Sequence, residues 1–276
     1  MEKPKVFTII VNHNGGQDVL DAIKSVFQSS YTNGEIIVVD NDSTDGSFEK
    51  IRNQFPRIHA IKNTKNDGFG KGANLGIRFA LEKMADFVFL LNPDATIEKD
   101  TIKKMVKKME RNDDLGIASP TIIDEKTNNI WFGGGKILWT KMRAIHTLEK
   151  YDGTKNVVKT EYVCGCAMFI RKEVFKKTGL FDERFFLYYE DADLSLSAKK
   201  NGWHLGVFPT IKIRHKERSN ENIKNKTYWL VKSGLLFFEK HTPKRLKSAS
   251  KIVLLARKCK NLLRRRKEND PLAHIV

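Results

Sequence analysis

Two apolar runs near the start of the chain decide the fold: Val-Phe-Thr-Ile-Ile-Val-Asn at residues 6–12 and Glu-Ile-Ile-Val-Val-Asp at residues 35–40. Each run is short and rich in β-branched residues, which is typical of a strand buried on both faces of a sheet. Between the runs, apolar residues recur every three or four positions from Val19 to Phe27, and this spacing predicts a helix with one buried face. A strand, a helix and a second strand in this order predict a parallel sheet.

The same alternation continues outward from this segment. It predicts a helix at 48–55, a weak strand at 58–61, a helix at 73–84, a strand at 87–91 and a helix at 101–109. The fold is therefore predicted to be α/β, with an open, mainly parallel sheet covered by helices on both faces. The second half is less regular, and its predicted elements are a bent strand or mobile loop at 131–135, strands at 168–171, 205–208 and 211–214, and helices at 191–200 and 228–238.

The composition excludes a disordered or low-complexity chain and indicates where the charge lies. The chain has 276 residues, of which 40% are hydrophobic, enough to bury a sizeable core. Between Lys240 and Lys267 there are 12 Lys or Arg residues and no acid, so most of the net charge of +17 belongs to a C-terminal tail at 241–276. The basic balance therefore does not make the main body a nucleic-acid binder.

Cysteine usage and hydropathy favour the cytosol. Cys164, Cys166 and Cys259 are an odd number without CxxC or zinc spacing, which fits a reducing compartment. No apolar run approaches the ~18 residues that a membrane span requires. The six apolar residues before Asn12 are too few for the core of a signal peptide.

Polar residues follow the ends of the predicted strands, where ligands collect in open α/β sheets. Asn12 ends the first strand, and Asp40 ends the second and begins the segment Asp-Asn-Asp-Ser-Thr-Asp-Gly at 40–46. Ser, Thr and Asp in this segment also suit a turn and a helix N-cap, and both interpretations stay open. Asp40 would face the crevice and could accept a hydrogen bond from a pyrimidine base or a ribose hydroxyl.

A glycine-rich segment at 66–74 follows the third strand and enters a helix. Such a loop can border a phosphate or a nucleotide because free backbone N–H groups face the ligand. It has neither the GxGxxG nor the Walker pattern, and a simple Gly-rich turn is an equal alternative.

Asn92-Pro93-Asp94 closes the fourth strand with a carboxylate. An oxygen ligand at a strand end suits a hard divalent cation that keeps several waters and is completed by substrate phosphates. Pro and Asp also begin ordinary turns, which is the alternative here.

Three carboxylates occur within four residues at Glu190, Asp191 and Asp193, at the start of a predicted helix and after an aromatic run. Acids in a first helical turn are ordinary, since the helix dipole favours them. Aromatic walls could nevertheless exclude enough water for one of them to act as a general base. His215 ends a predicted strand, where a surface or structural role is more common than metal binding.

Taken together and in this order, these segments resemble the family 2 inverting glycosyltransferases of the GT-A fold, and most closely the rhamnosyltransferase-like branch that builds bacterial surface polysaccharides. The resemblance extends from Val6 to about Ser219. It is carried by the motifs at residues 8–14, 38–47, 66–76, 90–95, 165–171 and 179–194, and by His215 with Ser219.

The resemblance implies a site, residue by residue. Asp191 falls on the family's catalytic base, and Asp94 on the last acid of its metal motif, whose first position is here Asn92. His215 falls on a position that in some members completes the metal or diphosphate site, so Mg²⁺ or Mn²⁺ is expected at Asp94 and His215. The residues expected to contact the nucleotide sugar are Asn12, Asp40, Asn41, Gly70, Lys71, Asn74, Asp94 and Gly165.

The resemblance also implies the reaction and its partners. The expected donor is a dTDP- or UDP-sugar, with rhamnose as the candidate sugar, and the expected acceptor is a saccharide or a lipid-linked saccharide. The expected halves are a donor-binding half at about 1–115 and an acceptor-side half at about 116–240. A catalytically inactive sugar-nucleotide binder, or a basic nucleic-acid binder, is the alternative from another class.

The tail at 241–276 has apolar residues at nearly helical spacing among its Lys and Arg residues, which predicts a basic amphipathic helix. An anionic lipid surface attracts such a helix by about 1 kcal/mol per nearby basic residue. The chain is therefore expected on the cytoplasmic face of the membrane as a peripheral protein. A solvated, frayed helix is the alternative, and the oligomeric state is left open.

Overall fold

The computed structural model describes residues 3–148, 156–217, 223–248 and 252–253. The first half alternates strands and helices: β1 (Val6–Asn12), α1 (Gly16–Phe27), β2 (Gly34–Asp40), α2 (Ser47–Gln54), β3 (His59–Lys62), α3 (Phe69–Glu82), β4 (Phe87–Leu91), β5 (Ala95–Ile97) and α4 (Thr101–Glu110). The second half contains β6 (Leu115–Asp124), β7 (Ile130–Phe132), β8 (Gly135–Leu138), β9 (Arg143–His146), β10 (Val158–Lys159), β11 (Ala167–Arg171), α5 (Lys172–Thr178), α6 (Glu190–Lys200), β12 (His204–His215) and α7 (Ile223–His241).

One sheet runs through both halves of the chain, in the order β10-β12-β6-β11-β4-β1-β2-β3. β3, β2, β1 and β4 are parallel neighbours, and β6 and β12 form a further parallel pair. β11 is antiparallel to both β4 and β6 and joins the two parallel parts. The predicted α/β architecture with a mostly parallel sheet is confirmed. The two expected halves share this sheet, and their division stays a prediction.

Helices cover both faces of the sheet because the strands are apolar on both sides. Val6 and Ile10 of β1 pack into one core with α1 and α4, and Phe7 and Ile9 pack into the other core with α3 and α5. Successive side chains on a strand point to opposite faces, so one apolar run supplies both cores.

The register of the strands brings their polar ends together. Asn12 lies opposite Asp40 at the ends of β1 and β2. β5 pairs antiparallel with β12, which places His215 opposite Ala95, the residue after Asp94. The predicted strand ends therefore meet at one edge of the sheet.

The second half differs from the predicted elements in several places, and β9, β10 and α5 have no predicted counterpart. The predicted strands at 205–208 and 211–214 are one strand, β12, because three extra residues between Phe208 and Lys212 form a bulge against β6. β6 itself was missed, since Gly116 and Pro120 interrupt its apolar pattern. The predicted bent strand or loop at 131–135 is β7 followed by the start of the β8–β9 hairpin.

Among the described residues, none of the helices combines the length and the apolar character needed to cross a bilayer. The predicted tail helix and the expected membrane contact fall mostly on residues after 248, outside the described residues. Ser219 and Cys259 also lie outside them.

Candidate active site

A cavity of about 350 Å³ opens where β4 and β12 end and α6 begins. Its volume is within the range of small-molecule sites. Four of the predicted site residues line it: Asp94, Gly165, Asp191 and His215. The other predicted residues, from Asn12 to Asn74, lie outside its lining.

Asp94 and His215 form a pair on one side of the cavity. Asp94 Oδ1 lies 3.1 Å from His215 Nε2, at ion-pair distance but without hydrogen-bond geometry. His215 is only 4% exposed, and its ring packs edge-on against Trp131. Asp94 Oδ1 and His215 Nδ1 are both buried without a hydrogen-bond partner among the described residues. Buried polar atoms are nearly always paired in folded proteins, so two orphaned atoms at one cavity indicate a ligand site.

The pair fits the expected divalent cation in part. An octahedral ion binds its ligand atoms at about 2.1 Å, and two neighbouring ligand atoms at 90° then lie about 3 Å apart. The distance between Asp94 Oδ1 and His215 Nε2 is close to this value. No group of three or more His, Cys, Asp or Glu side chains is positioned to bind an ion within the described ranges. The protein thus offers two ligands, and waters and phosphate oxygens would complete the shell, as Mg²⁺ prefers.

Asp191 lies in the first turn of α6 and is partly exposed to the cavity. Its Oδ2 accepts a hydrogen bond from Gly165 N at 2.9 Å, and its Oδ1 accepts one from Ala192 N at 2.7 Å. The Cys164 thiol donates a further hydrogen bond. Burial raises the pKa of Asp191, and these three donors oppose that rise because they stabilise the carboxylate. The backbone around Gly165 therefore holds Asp191 ionised and oriented.

Glu190 precedes Asp191 and has the opposite surroundings. It is 5% exposed, and its Oε2 has no hydrogen-bond partner among the described residues. Burial raises the pKa of Glu190 well above its usual value, and the charge of Asp191 raises it further. Two adjacent buried carboxylates cannot both ionise at low cost. Since the hydrogen-bond donors face Asp191, the proton resides on Glu190 and the negative charge on Asp191.

The start of α6 is fixed by two strained residues. Tyr188 and Tyr189 have φ values of 66° and 68°, in the left-handed region that side chains disfavour. Such strain costs on the order of 1–3 kcal/mol per residue and persists where packing enforces it. The Tyr189 ring packs 5.2 Å from Phe237, and Ser233 Oγ donates to Leu187 O at 2.7 Å. α7 therefore holds the turn that aims Asp191 into the cavity.

Asn12 and Asp40 lie at the ends of β1 and β2 and are fully buried. Asn12 Nδ2 donates to Asp40 Oδ1 at 2.7 Å, and Ser43 donates to Asp40 through its backbone N and its Oγ. Asn12 Oδ1 accepts a hydrogen bond from Gly15 N. Each polar group has a partner in the protein, so these residues stabilise the loops after β1 and β2. Their contact with a nucleotide stays a prediction that the lining of the cavity does not support.

The glycine-rich segment packs against the chain that leads into α6. Asn41 Nδ2 donates to Gly68 O at 2.8 Å, which ties the segment to the end of β2. Gly68 has φ +86°, and a Cβ there would lie 2.1 Å from Phe186 O, so only glycine fits. A Cβ at Gly70 would lie 3.3 Å from Phe181 Cβ. The glycines thus permit close packing, and the structure does not bring Gly70 to the cavity.

Asn74 is buried on α3, and its amide is occupied by the protein. It donates to Phe181 O at 2.9 Å and accepts from Phe181 N at 3.0 Å. Among the predicted nucleotide-contacting residues between Asn12 and Asn74, Lys71 has the substantially exposed side chain. Its Nζ lies 3.3 Å from Asp67 Oδ1. Asn74 therefore anchors the segment before α6, whereas Lys71 is free to face solvent near the loop.

Sequence reasoning missed the wall of the cavity that faces Gly165. Trp131, His146 and Tyr162 line this wall, and Lys226 and Leu230 of α7 line the cavity beside them. The sequence signal for this wall is the aromatic pair before three glycines at 131–135. That segment predicts a bent strand or a loop, which by itself does not indicate a role in the site. His146 belongs to no motif, and the β8–β9 hairpin alone brings it to the cavity.

Comparisons with known sequences identify the family of the chain. The family described as "Glycosyl transferase family 2" matches residues 8–179. The chain is 26% identical over 210 residues to the dTDP-rhamnosyl transferase RfbF of Shigella flexneri, covering 76% of this chain and 68% of that protein. It is 25% identical over 207 residues to the N-acetylglucosaminyl-diphospho-decaprenol L-rhamnosyltransferase of Mycobacterium tuberculosis, covering 65% and 66% of the two chains. The chain thus spans about two thirds of the length of these relatives.

A solved structure has the same fold. The mannosyltransferase PcManGT of Pyrobaculum calidifontis, in complex with GDP-Man and Mn²⁺, aligns with a TM-score of 0.65 over 99% of this chain and 78% of its own, at 16% identity. The expected GT-A fold is confirmed by this likeness, which at such low identity concerns the fold alone.

Proposed function

The chain belongs to glycosyl transferase family 2, and on that premise we propose that it transfers a sugar from a nucleotide-diphospho-sugar to a hydroxyl of a saccharide or lipid-linked acceptor, with inversion. One observation carries the proposal. A single cavity contains an oriented carboxylate, Asp191, and a separate pair of orphaned polar side chains, Asp94 and His215.

Asp191 suits the role of general base. In this proposal one of its carboxylate oxygens takes the proton of the acceptor hydroxyl, while the oxygen of that hydroxyl attacks C1 of the donor sugar. The bond from C1 to the diphosphate breaks in the same displacement, so one carboxylate suffices and the configuration at C1 inverts. General base catalysis of this kind typically contributes about 10²–10⁴-fold. The protonated Glu190 beside it would not compete as a nucleophile.

Asp94 and His215 would hold the divalent cation and, through it, the diphosphate of the donor. Mg²⁺ or Mn²⁺ bound there supplies positive charge against the negative charge that develops on the leaving diphosphate. Lys216 follows His215, and its backbone N donates to Asp94 O at 2.8 Å, which fixes the position of Asp94. Lys71, on the exposed side of the glycine-rich segment, is proposed to border the nucleotide.

The relatives suggest which partners to try first. One is named as a dTDP-rhamnosyl transferase, and another as acting on a diphospho-decaprenol-linked saccharide. We therefore propose a dTDP- or UDP-sugar as donor, with rhamnose as the first sugar to test, and a role in cell-envelope polysaccharide synthesis. The basic tail at 241–276 would keep the enzyme on the cytoplasmic face of an anionic membrane.

The proposal is tested by nucleotide-sugar binding and turnover with and without Mn²⁺. The wild-type protein should be stabilised by its donor, by about 2.7 kcal/mol at 100 times the dissociation constant, and should release nucleoside diphosphate. Asp94→Ala should weaken the Mn²⁺-dependent binding of the donor at least about tenfold, as loss of metal-site residues does. Calorimetry with dTDP-rhamnose, UDP-GlcNAc and GDP-mannose measures both effects.

The matched control is Asp113→Ala, because the Asp113 side chain is 91% exposed and does not line the cavity. It should bind the donor like the wild type. Binding without turnover under every condition would favour the inactive sugar-nucleotide binder, and binding of nucleic acid in place of nucleotide sugars would favour the other alternative.

A further inference from the structure

A chain of contacts runs from Asp94 along one wall of the cavity. Starting at Asp94, the neighbours in order are His215 at 3.1 Å, Trp131 at 4.6 Å between ring centroids, His146 at 4.5 Å and Tyr162 at 6.4 Å. Tyr162 and Asp191 both line the cavity, and burial raises the pKa of the Tyr162 hydroxyl, with the charge of Asp191 raising it further.

On the other side of the cavity, backbone groups connect Asp191 to the segment that contains Asp94. Asp191 is bound to Gly165 N, and the neighbouring Cys166 O accepts a hydrogen bond from Asn92 N at 2.9 Å, two residues before Asp94. A sugar whose C1 lies between Asp94 and Asp191 therefore has backbone on one side. On the other side it has the aromatic wall formed by Trp131, His146 and Tyr162.

His146 is the one side chain of this wall with a fixed polar atom to offer. Its Nδ1 lies 3.2 Å from the carbonyl oxygen of Trp131, so Nδ1 carries a proton and donates it. Its ring is held edge-on by Trp131 and by Phe132, at 4.5 and 5.0 Å. Burial lowers the pKa of His146, which favours the neutral ring. In that tautomer Nε2 has a free lone pair, and among the described residues nothing hydrogen-bonds to it.

We infer that His146 Nε2 accepts a hydrogen bond from a hydroxyl of the donor sugar, whose ring lies against Trp131, and that His146 thereby contributes to the choice of sugar. The inference rests on the proposed function, since it takes the diphosphate to lie at Asp94 and His215. It adds a specificity-determining residue that belongs to none of the sequence motifs.

The contacts favour the donor sugar over the acceptor. Trp131 touches both His215 and His146, so one ring separates the proposed diphosphate position from His146. A sugar joined directly to that diphosphate can extend across the Trp131 ring to His146. The acceptor must approach Asp191 from the opposite side of C1, which places it farther from Trp131.

Two substitutions separate the two nitrogens of His146. His146→Asn keeps an N–H donor near the Nδ1 position for the Trp131 carbonyl but has no atom at the Nε2 position. His146→Gln places an amide oxygen near the Nε2 position and so keeps an acceptor. The probes are dTDP-rhamnose, UDP-GlcNAc and GDP-mannose, each compared with its own nucleoside diphosphate by calorimetry with Mn²⁺.

We expect His146→Asn to weaken binding of the preferred sugar nucleotide about tenfold, because a buried hydroxyl loses its partner. Binding of the matching nucleoside diphosphate should change less than about twofold. His146→Gln should lose less than His146→Asn. His204→Asn is the control, because the His204 side chain is 53% exposed and does not line the cavity.

Each outcome of this experiment supports or overturns the inference. Equal losses for sugar nucleotide and nucleoside diphosphate, or none for either, would overturn the inference about His146 and leave the proposed function intact. Failure of the wild-type protein to bind any sugar nucleotide would overturn both. Should His146→Asn not fold, His146→Phe keeps the ring packing without either nitrogen and must show the same selective loss, or the inference fails.

Discussion

In the part of the chain that the structure describes, buried polar groups are unpaired at the cavity and paired in a second region. That region, called here the loop cluster, consists of Asn12, Asp40, Asn41 and Asn74. In the loop cluster each buried amide and carboxylate is paired with another part of the protein, as Asp40 is with Asn12 and Ser43. At the cavity, Asp94, Glu190 and His215 each leave a buried polar atom without a partner among the described residues. Both regions follow strand ends or begin helices, and both belong to sequence motifs of the family.

This difference indicates that polar residues occur in the family's motifs for two different reasons. Paired groups stabilise the loops that shape the site, because breaking such a pair leaves a buried atom unsatisfied. Unpaired groups cost stability in the free protein and are tolerated where a ligand completes them. The loop cluster should therefore respond to substitution through stability, and the cavity through activity and binding.

The largest effect should come from Asp191→Asn. The amide cannot take the acceptor proton, so transfer should fall by about 10²–10⁴-fold. The amide oxygen can still accept one of the two backbone hydrogen bonds and the pair at Asp94 stays in place, so the affinity for the nucleoside diphosphate should change little. Sugar transfer and calorimetry on the same preparation measure the two quantities.

The control for this substitution is Asp113→Asn, an exposed acid that should leave transfer unchanged. The pH dependence gives a second readout. Transfer needs ionised Asp191, and burial raises the pKa of that carboxyl, so activity should decline on acidification at a higher pH than for an exposed aspartate. Undiminished transfer by the Asn variant would remove Asp191 from the role of base.

Asn74→Ala should show the behaviour of the loop cluster. It leaves the backbone N–H and C=O of Phe181 without their buried partners, which should cost about 1–3 kcal/mol of unfolding free energy. Denaturation in urea measures the loss, and donor affinity in the remaining folded protein should be close to that of the wild type.

Asn129→Ala, at an exposed position in a turn, is the matched control and should not change stability. If Asn74→Ala keeps its stability and instead loses donor affinity tenfold, Asn74 contacts the nucleotide after all. The distinction drawn between the two regions would then be wrong at this residue.

The effect of Glu190→Gln should be the smallest of the three at about pH 5 and should grow as the pH rises, and it tests the cost of an unpaired acid. The pKa of Glu190 is raised in the folded protein, so its contribution to stability is fully present below the pKa of the unfolded chain. That contribution is lost as the pH rises toward the folded pKa. Glutamine does not titrate, so the variant should gain stability relative to the wild type as the pH increases from about 5 to about 8, by at most about 1.4 kcal/mol per pH unit.

Urea denaturation at several pH values measures this difference, with Glu125→Gln as the exposed control. A difference between variant and wild type that stays constant across the range would mean that Glu190 ionises as easily in the fold as in the unfolded chain. The assignment of the proton to Glu190 would then fail.

The first half of the fold was predictable because local pattern and tertiary structure agree there. The apolar runs of β1, β2 and β4 and the helical spacing of α1 and α4 match the structure within a few residues. In the second half, β6 was missed because Gly116 and Pro120 break its pattern. Its pairing with β12 compensates for both, and pairing between distant segments leaves no local signal.

The site was predictable in part for the same reason. Asp94 and His215 lie at strand ends, Asp191 begins a helix and Gly165 precedes β11, and the structure brings all four to one cavity. His146 and Tyr162 could not be found, since their position depends on how the β8–β9 hairpin packs across the cavity. Asn74 and Gly70 match motif positions, but packing against Phe181 occupies them.

By itself the sequence determined the α/β class, the family and the order of the polar motifs, because strand and helix periodicity and motif spacing are local properties of the chain. Only the tertiary structure decided which polar groups are paired and which face the cavity. Pairing depends on distances between residues far apart in sequence, such as Asn74 with Phe181 or Asn12 with Asp40, and on whether water reaches them.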